Sequence, residues 1–155
     1  MTPVFARLQA WWLDFALALA FLTRLPNPFA AAPEDRGLGP ALRTAPLIGI
    51  VIGLIGGAVF WLSGAVGLPP ALAALLAIGA TISATGALHE DGLADVADGF
   101  GGAFERARKL AIMRDSRTGA FGVLALILSI GLRTGALAVI AAPAAALAAL
   151  EKAGQ

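Results

Sequence analysis

The sequence predicts an all-α protein, a polytopic membrane helical bundle forming a single domain over residues 1–155. Three observations predict it. Hydrophobic residues make up 59% of the chain and charged residues 14%, and the mean hydropathy is +0.84, far from the soluble average. No charged residue occurs from Thr44 to Leu88. The strong interruption in that run is Pro69-Pro70, so it reads as a helical hairpin. A chain this short has too few polar residues to cover so much apolar surface in water.

At the N-terminus, Arg7 precedes the apolar run Phe15 to Leu22 and the small residues Ala30 to Ala32 follow, an order that invites comparison with a secretory signal. Asp14 and Arg24 flank the run closely, which favours a retained first membrane segment or an interfacial helix. Trp11 and Trp12 then fall at the headgroup level. The hairpin arms, Pro46 to Leu68 and Ala71 to Leu88, each approach the roughly 20 apolar residues that cross a ~30 Å hydrocarbon core. A third crossing runs from Ala120 to about Ala142, and a fourth apolar stretch starts after Pro143 and stops at Glu151. Arg133, inside the third crossing, is costly in lipid and should face the bundle or water. Gly49 and Gly53 have the small-xxx-small spacing that lets helices approach closely.

Lys and Arg set the orientation. Arg106, Arg108, Lys109, Arg114 and Arg117 lie between the second and third crossings, and the Pro69-Pro70 turn carries none. Segment 89–119 and the Arg24 to Arg43 stretch are therefore expected on the cytoplasmic side of the inner membrane, with two arms between them. A net charge of +1 without a clustered basic face gives no ground for nucleic-acid binding. The absence of cysteine excludes disulfides and thiolate chemistry, and the single histidine, His89, excludes His-rich metal centres.

Half of the ten acidic residues lie between Glu90 and Glu105, and four of them are packed into HEDGLADVADGFGG, where an apolar helix ends. If that helix continues, Asp91, Asp95 and Asp98 stand at i, i+4 and i+7 on one face. Like charges so placed destabilise an isolated helix by roughly 0.2–0.5 kcal/mol per pair, and a cation would turn the repulsion into coordination. Hard oxygen donors favour Mg2+, Mn2+ or Ca2+, and Mg2+ usually takes one or two carboxylates with water and substrate phosphate completing its shell. The acids could therefore serve one ion or two. Glu90 points about 100° away from the aspartate face and ranks as a helper ligand. Gly92 with Ala94 and Ala97 leaves space for a bulky group, and Gly99, Gly101 and Gly102 end the helix.

Downstream, IMRDSRTGAFG supplies Arg114, Asp115, Arg117 and backbone N–H groups near Gly119, suited to phosphate oxygens in phosphoryl transfer. His89 is a second candidate for proton transfer, since an unperturbed imidazole titrates near neutral pH. The plainer readings are acids solvating a helix end, arginines marking the cytoplasmic side, and an interfacial histidine.

Four segments together carry a resemblance: FLTRLP at Phe21 to Pro26, PLIGIVIGLIGG at Pro46 to Gly57, ATGALHEDGLADVADGFGG at Ala84 to Gly102, and IMRDSRTGAFGVLAL at Ile112 to Leu126. In this order they resemble the adenosylcobinamide-GDP ribazoletransferase, or cobalamin synthase, family. The resemblance implies a polytopic membrane enzyme that uses Mg2+ to join adenosylcobinamide-GDP to alpha-ribazole or its 5'-phosphate, releasing GMP. It implies metal at Asp91, Asp95 and Asp98 with Glu90 in support, charge stabilisation by Arg114 and Arg117, and Asp115 as the base, with His89 or one of the metal-site acids as substitutes. Members of that family continue well past the position of Gln155, so the chain is expected to be a fragment or a shortened variant. Homo-oligomerisation stays open.

Two other readings compete. Asp95-x-x-Asp98-Gly99 begins like the signature of CDP-alcohol phosphotransferases, but Gly102-Ala103 stands where Ala-Arg should follow, and Ile112, Ser116 and Ala120 occupy the later Gly and Asp positions. A cation transporter subunit would use the aspartates to line an ion path, but such sites favour the bilayer midplane and these acids fall at a helix end.

Overall fold

The computed structural model describes residues 3–27 and 37–153, with side chains described for 5–27 and 37–140. The described residues are helical throughout, without strands. Helix α1 spans Pro3–Leu22. A short helix α2, Leu38–Ala41, and a 3-10 turn, Leu42–Thr44, lead into α3, Ala45–Ala65. Then come α4, Pro70–Thr85, and α5, Leu88–Gly102. Helix α6, Arg106–Ile112, and the long α7, Ala120–Ala153, complete the chain. The small residues Ala30 to Ala32 lie outside the described residues.

Among the described residues, Phe5–Leu22, Leu38–Ala65 and Ala120–Ile140 are long and apolar enough to cross a membrane. The hairpin forms as expected: α3 stops at Ala65, Gly67 takes a positive φ of 86°, and Pro69 and Pro70 open α4. Helix α4 packs against both α3 and α7, and its buried residues are mostly small, Ala73, Ala74 and Ala77 with Ile78. The close approach in the hairpin falls at Gly56, where an added Cβ would lie 2.7 Å from Thr81 Cγ2. Gly49 and Gly53 face open space, so the small-xxx-small pair does not make this contact.

Helix α1 joins through a core of Ala18, Leu19 and Ile48. It also carries Asp14, which is fully buried and paired with Arg43, while the Thr44 hydroxyl donates to the Asp14 carbonyl at 3.3 Å. Arg43 lies over the Trp11 ring, 4.3 Å from its centroid. The charge at position 14 is thus answered by a cation from the 3-10 turn that leads into α3, which ties α1 to the hairpin.

Two expectations need correction. The helix of the second arm does not run into the acidic segment; it ends at Thr85, and α5 leaves at an angle of 91°. The fourth apolar stretch is not separate, because α7 continues through Pro143 to Ala153. The break after Thr85 has a local cause. Gly86 (φ 64°) and Ala87 (φ 60°) are both left-handed, the Gly86 N–H donates to Ser83 O and the Ala87 N–H to Ile82 O, closing α4 with a Schellman motif. The Arg24 N–H donates to Ala84 O at 2.8 Å and satisfies another terminal carbonyl. At 16 residues, α4 is about 24 Å long, short of a ~30 Å core, so it meets the length of a crossing only together with α5, across the bend.

Replacing Gly86 by alanine forces an L-residue into the left-handed region at a cost of roughly 1–2 kcal/mol, and its methyl would collide with the Arg24 side chain. Thermal unfolding of the detergent-solubilised protein should fall by about 2–8 °C, whereas Gly49→Ala, with open space around it, should leave the midpoint unchanged or raise it.

Candidate functional site

Helix α5 carries the acidic run, and the continuous turn from Leu88 to Gly102 keeps Asp91, Asp95 and Asp98 in the expected i, i+4, i+7 register. Their surroundings differ sharply. Asp91 is exposed, Asp95 half-buried and Asp98 buried. Among the described residues no three His, Asp or Glu side chains converge as a ready-made metal cluster.

Asp98 faces the start of α7. Its Oδ2 accepts from Gly119 N–H at 2.6 Å and its Oδ1 from Gly122 N–H at 2.8 Å. Helix α7 begins at Ala120, so these are two of the N–H groups that a helix N-terminus leaves without partners. The carboxylate thus caps α7 from another helix and complements the positive end of its dipole. Gly119 and Gly122 are small for the same reason, since a Cβ at either would fall on the Asp98 carboxylate. Sequence reasoning missed this role. The available signal was the Gly-x-x-Gly spacing at the start of an apolar helix that lacks a side-chain cap of its own.

Glu90 is likewise engaged. Arg133, on α7, donates from Nη1 to Glu90 Oε1 at 2.8 Å, with the two side chains 43% and 12% exposed. That answers the question posed by an arginine inside an apolar helix: it faces the bundle and pairs with an acid. Glu90, Arg133 and His89 line a cavity of about 500 Å³ between α1, α3, α4 and α7, walled by Ile48 and Ile52.

Two further cavities flank α5. One, of about 510 Å³, is lined by Asp91 together with Thr23, Arg24, Thr85 and the Gly86–Ala87 elbow. The other, of about 450 Å³, is lined by Asp98, Asp115, Arg117 and Thr118. In the turn before α7, Arg117 grips Asp115 with two nitrogens, Nη2 to Oδ2 at 2.7 Å and Nε to Oδ1 at 3.1 Å, and its own backbone N–H adds a third bond to Oδ1 at 3.1 Å. The side-chain hydrogen bond from Arg117, and then the backbone one, hold the Asp115 carboxyl below the usual carboxylate range. The same pairing raises Arg117. Arg114 is exposed on the turn after α6. His89 and Asp115, the two candidate proton acceptors, line different cavities and are not brought together.

The arrangement offers two carboxylates, Asp91 and Asp95, that make no ion pair or side-chain hydrogen bond among the described residues, two that are committed to α7, and guanidinium groups at both ends of α5. Oxygen donors in this number suit a hard divalent cation that completes its shell with water and phosphate.

Comparison with known proteins places the chain. The family model described as cobalamin-5-phosphate synthase matches residues 14–155. The protein named adenosylcobinamide-GDP ribazoletransferase from Bradyrhizobium diazoefficiens is 52% identical over 130 residues, covering 84% of this chain and 50% of the relative. Its namesake from Mesorhizobium japonicum is 53% identical over 137 residues, covering 88% and 52%. The one from Shewanella amazonensis is 51% identical over 119 residues, covering 77% and 45%. The chain therefore spans about half the length of the curated relatives it matches. No solved structure matches. With the family model covering nearly the whole chain and identities above half, the chain belongs to the cobalamin-5-phosphate synthase family.

Proposed function

We propose that this chain carries the diphosphate-handling part of a membrane transferase that joins adenosylcobinamide-GDP to alpha-ribazole or its 5'-phosphate and releases GMP, in the last steps of cobalamin biosynthesis. The observation that carries the reading is the acidic helix α5 set off from α4 by the 91° elbow, with Asp91 exposed and Asp95 half-buried one turn apart. The relatives' names supply the substrates. The apolar helices and the Lys/Arg distribution support a multi-pass protein in the inner membrane, its acidic helix facing the cytoplasm.

In this reading Asp91 and Asp95 hold Mg2+, which fits an ion that usually takes one or two protein carboxylates. Asp98 and Glu90 act at one remove, fixing α5 against α7 through the bonds to Gly119, Gly122 and Arg133. When bound, Mg2+ neutralises the diphosphate and the departing GMP. An alcohol oxygen of the ribazole forms a bond to the phosphorus on the cobinamide side, the bridging P–O bond breaks, and GMP leaves with the electron pair.

Arg117 and Arg114, toward the Asp98 end of α5, would add positive charge where the substrate's phosphates extend along that helix. Asp115 takes the hydroxyl proton. As it stands Arg117 makes that carboxylate a weak acceptor; a phosphate that draws Arg117 away restores its basicity at the moment the proton must move. The grip thus keeps the base ionised and in place until substrate arrives.

Four outcomes test this. Asp91→Asn should cut Mg2+-dependent GMP release from adenosylcobinamide-GDP and alpha-ribazole by at least about 100-fold while leaving the unfolding midpoint unchanged. Asp98→Ala should destabilise by roughly 1–2 kcal/mol or more through the lost cap, read as a lower midpoint. Asp115 should titrate, by carboxyl-carbon NMR, below the ordinary value of about 3.9, and Arg117→Ala should move it up toward that value. The proton role fails if Asp115→Asn turns over at the wild-type rate.

A further inference from the structure

The cavity at the α4–α5 elbow holds two opposite charges that do not neutralise each other. Arg24 and Asp91 both line it, yet among the described residues no carboxylate lies within ion-pair distance of the Arg24 guanidinium. Arg24 is held in place from two directions. Its N–H donates to Ala84 O at the end of α4, and its side chain lies across the bare face of Gly86. An exposed, positively charged side chain is thus held beside the break in the apolar hairpin, with its guanidinium open to a ligand.

The other polar side chains of the cavity cannot supply donors. The Thr23 hydroxyl spends its proton on Leu19 O at 2.7 Å, and the Thr85 hydroxyl on Thr81 O and Ile82 O at 3.2 and 3.1 Å. Backbone adds to the positive side. Helix α5, 15 residues long, starts here behind Ala87, which gives no side-chain cap, so its first residue, Leu88, and the positive end of its dipole border the cavity, whereas His89 and Glu90 line the neighbouring one. Together these make an anion-binding corner with a carboxylate at its rim, a combination suited to a phosphate accompanied by a divalent cation.

We propose that Arg24 is the phosphate-binding residue of this cavity, pairing with a diphosphate whose cation is held from the Asp91 side. The inference rests on the metal reading of Asp91 given above and adds to it a substrate-contacting residue from α1's end of the molecule. A lipid headgroup phosphate offers the same chemistry, so the test separates the two sources.

The experiment measures binding, without turnover. The protein in maltoside micelles, free of phospholipid, is titrated calorimetrically with inorganic pyrophosphate in the presence of Mn2+, and Mn2+ binding alone is followed by its electron paramagnetic resonance signal. Arg24→Met, which keeps the side chain's length against Gly86, should weaken pyrophosphate at least tenfold and leave Mn2+ binding and helicity unchanged. Arg24→Lys, retaining the charge without the fork, should recover part of the loss. Wild-type pyrophosphate affinity in Arg24→Met would overturn the proposal. So would a wild-type protein that ignores pyrophosphate but binds added phosphatidylglycerol in an Arg24-dependent manner. Failure of the metal reading looks different: Asp91→Asn would keep its Mn2+ signal while Arg24→Met still lost pyrophosphate.

Discussion

A carboxylate in or beside hydrocarbon must be paired, hydrogen-bonded or bound to metal, because desolvating it alone costs several kcal/mol. Much of this molecule is arranged around that constraint. Asp14 is buried and answered by Arg43. Glu90 is answered by Arg133, and Asp98 by the N–H groups that open α7. These three contacts also join α1 to the hairpin and α5 to α7, so charge compensation and helix assembly are the same act. Of the four acids on α5, the two without such a partner among the described residues are Asp91 and Asp95, and it is on that pair that the functional reading rests.

The elbow at Gly86 and Ala87 makes that pair accessible. Had α4 run on, the aspartates would extend along its axis; instead the 91° turn carries them away from the apolar helix that precedes them. Of the two left-handed residues, Gly86 takes that backbone freely, whereas Ala87 would be costly if only local energies counted. Here the Schellman bonds and the Arg24 N–H to Ala84 O satisfy the end of α4 and hold the break open. The same turn creates the cavity shared by Arg24 and Asp91.

The parts legible in the sequence were those governed by local pattern. The uncharged run, the two prolines and the glycines after Asp98 set the hairpin and the end of α5 close to where they lie, and the aspartate register followed from helical periodicity alone. The break after Thr85 was not legible, since Ala87 is a residue that ordinarily continues a helix and its left-handed backbone goes with the bond from its N–H to Ile82 O. Nor was the commitment of Asp98 and Glu90. Their partners lie 21, 24 and 43 positions away, and no periodicity links an acid to a backbone N–H or a guanidinium at such separation. The substrates came from the family resemblance, since residue spacing by itself reaches metal-assisted phosphoryl chemistry and no further.

The central claim is a division of labour within one acidic helix: Asp91 and Asp95 for the cation, Asp98 for α7. Electron-nuclear double resonance on the Mn2+-loaded protein, with aspartate carboxyls labelled with carbon-13, reads it directly. Couplings from coordinating carboxyl carbons should disappear stepwise in Asp91→Asn and Asp95→Asn and persist unchanged in Asp98→Asn. Loss of a coupling in Asp98→Asn, with none lost in the other two, would contradict the account.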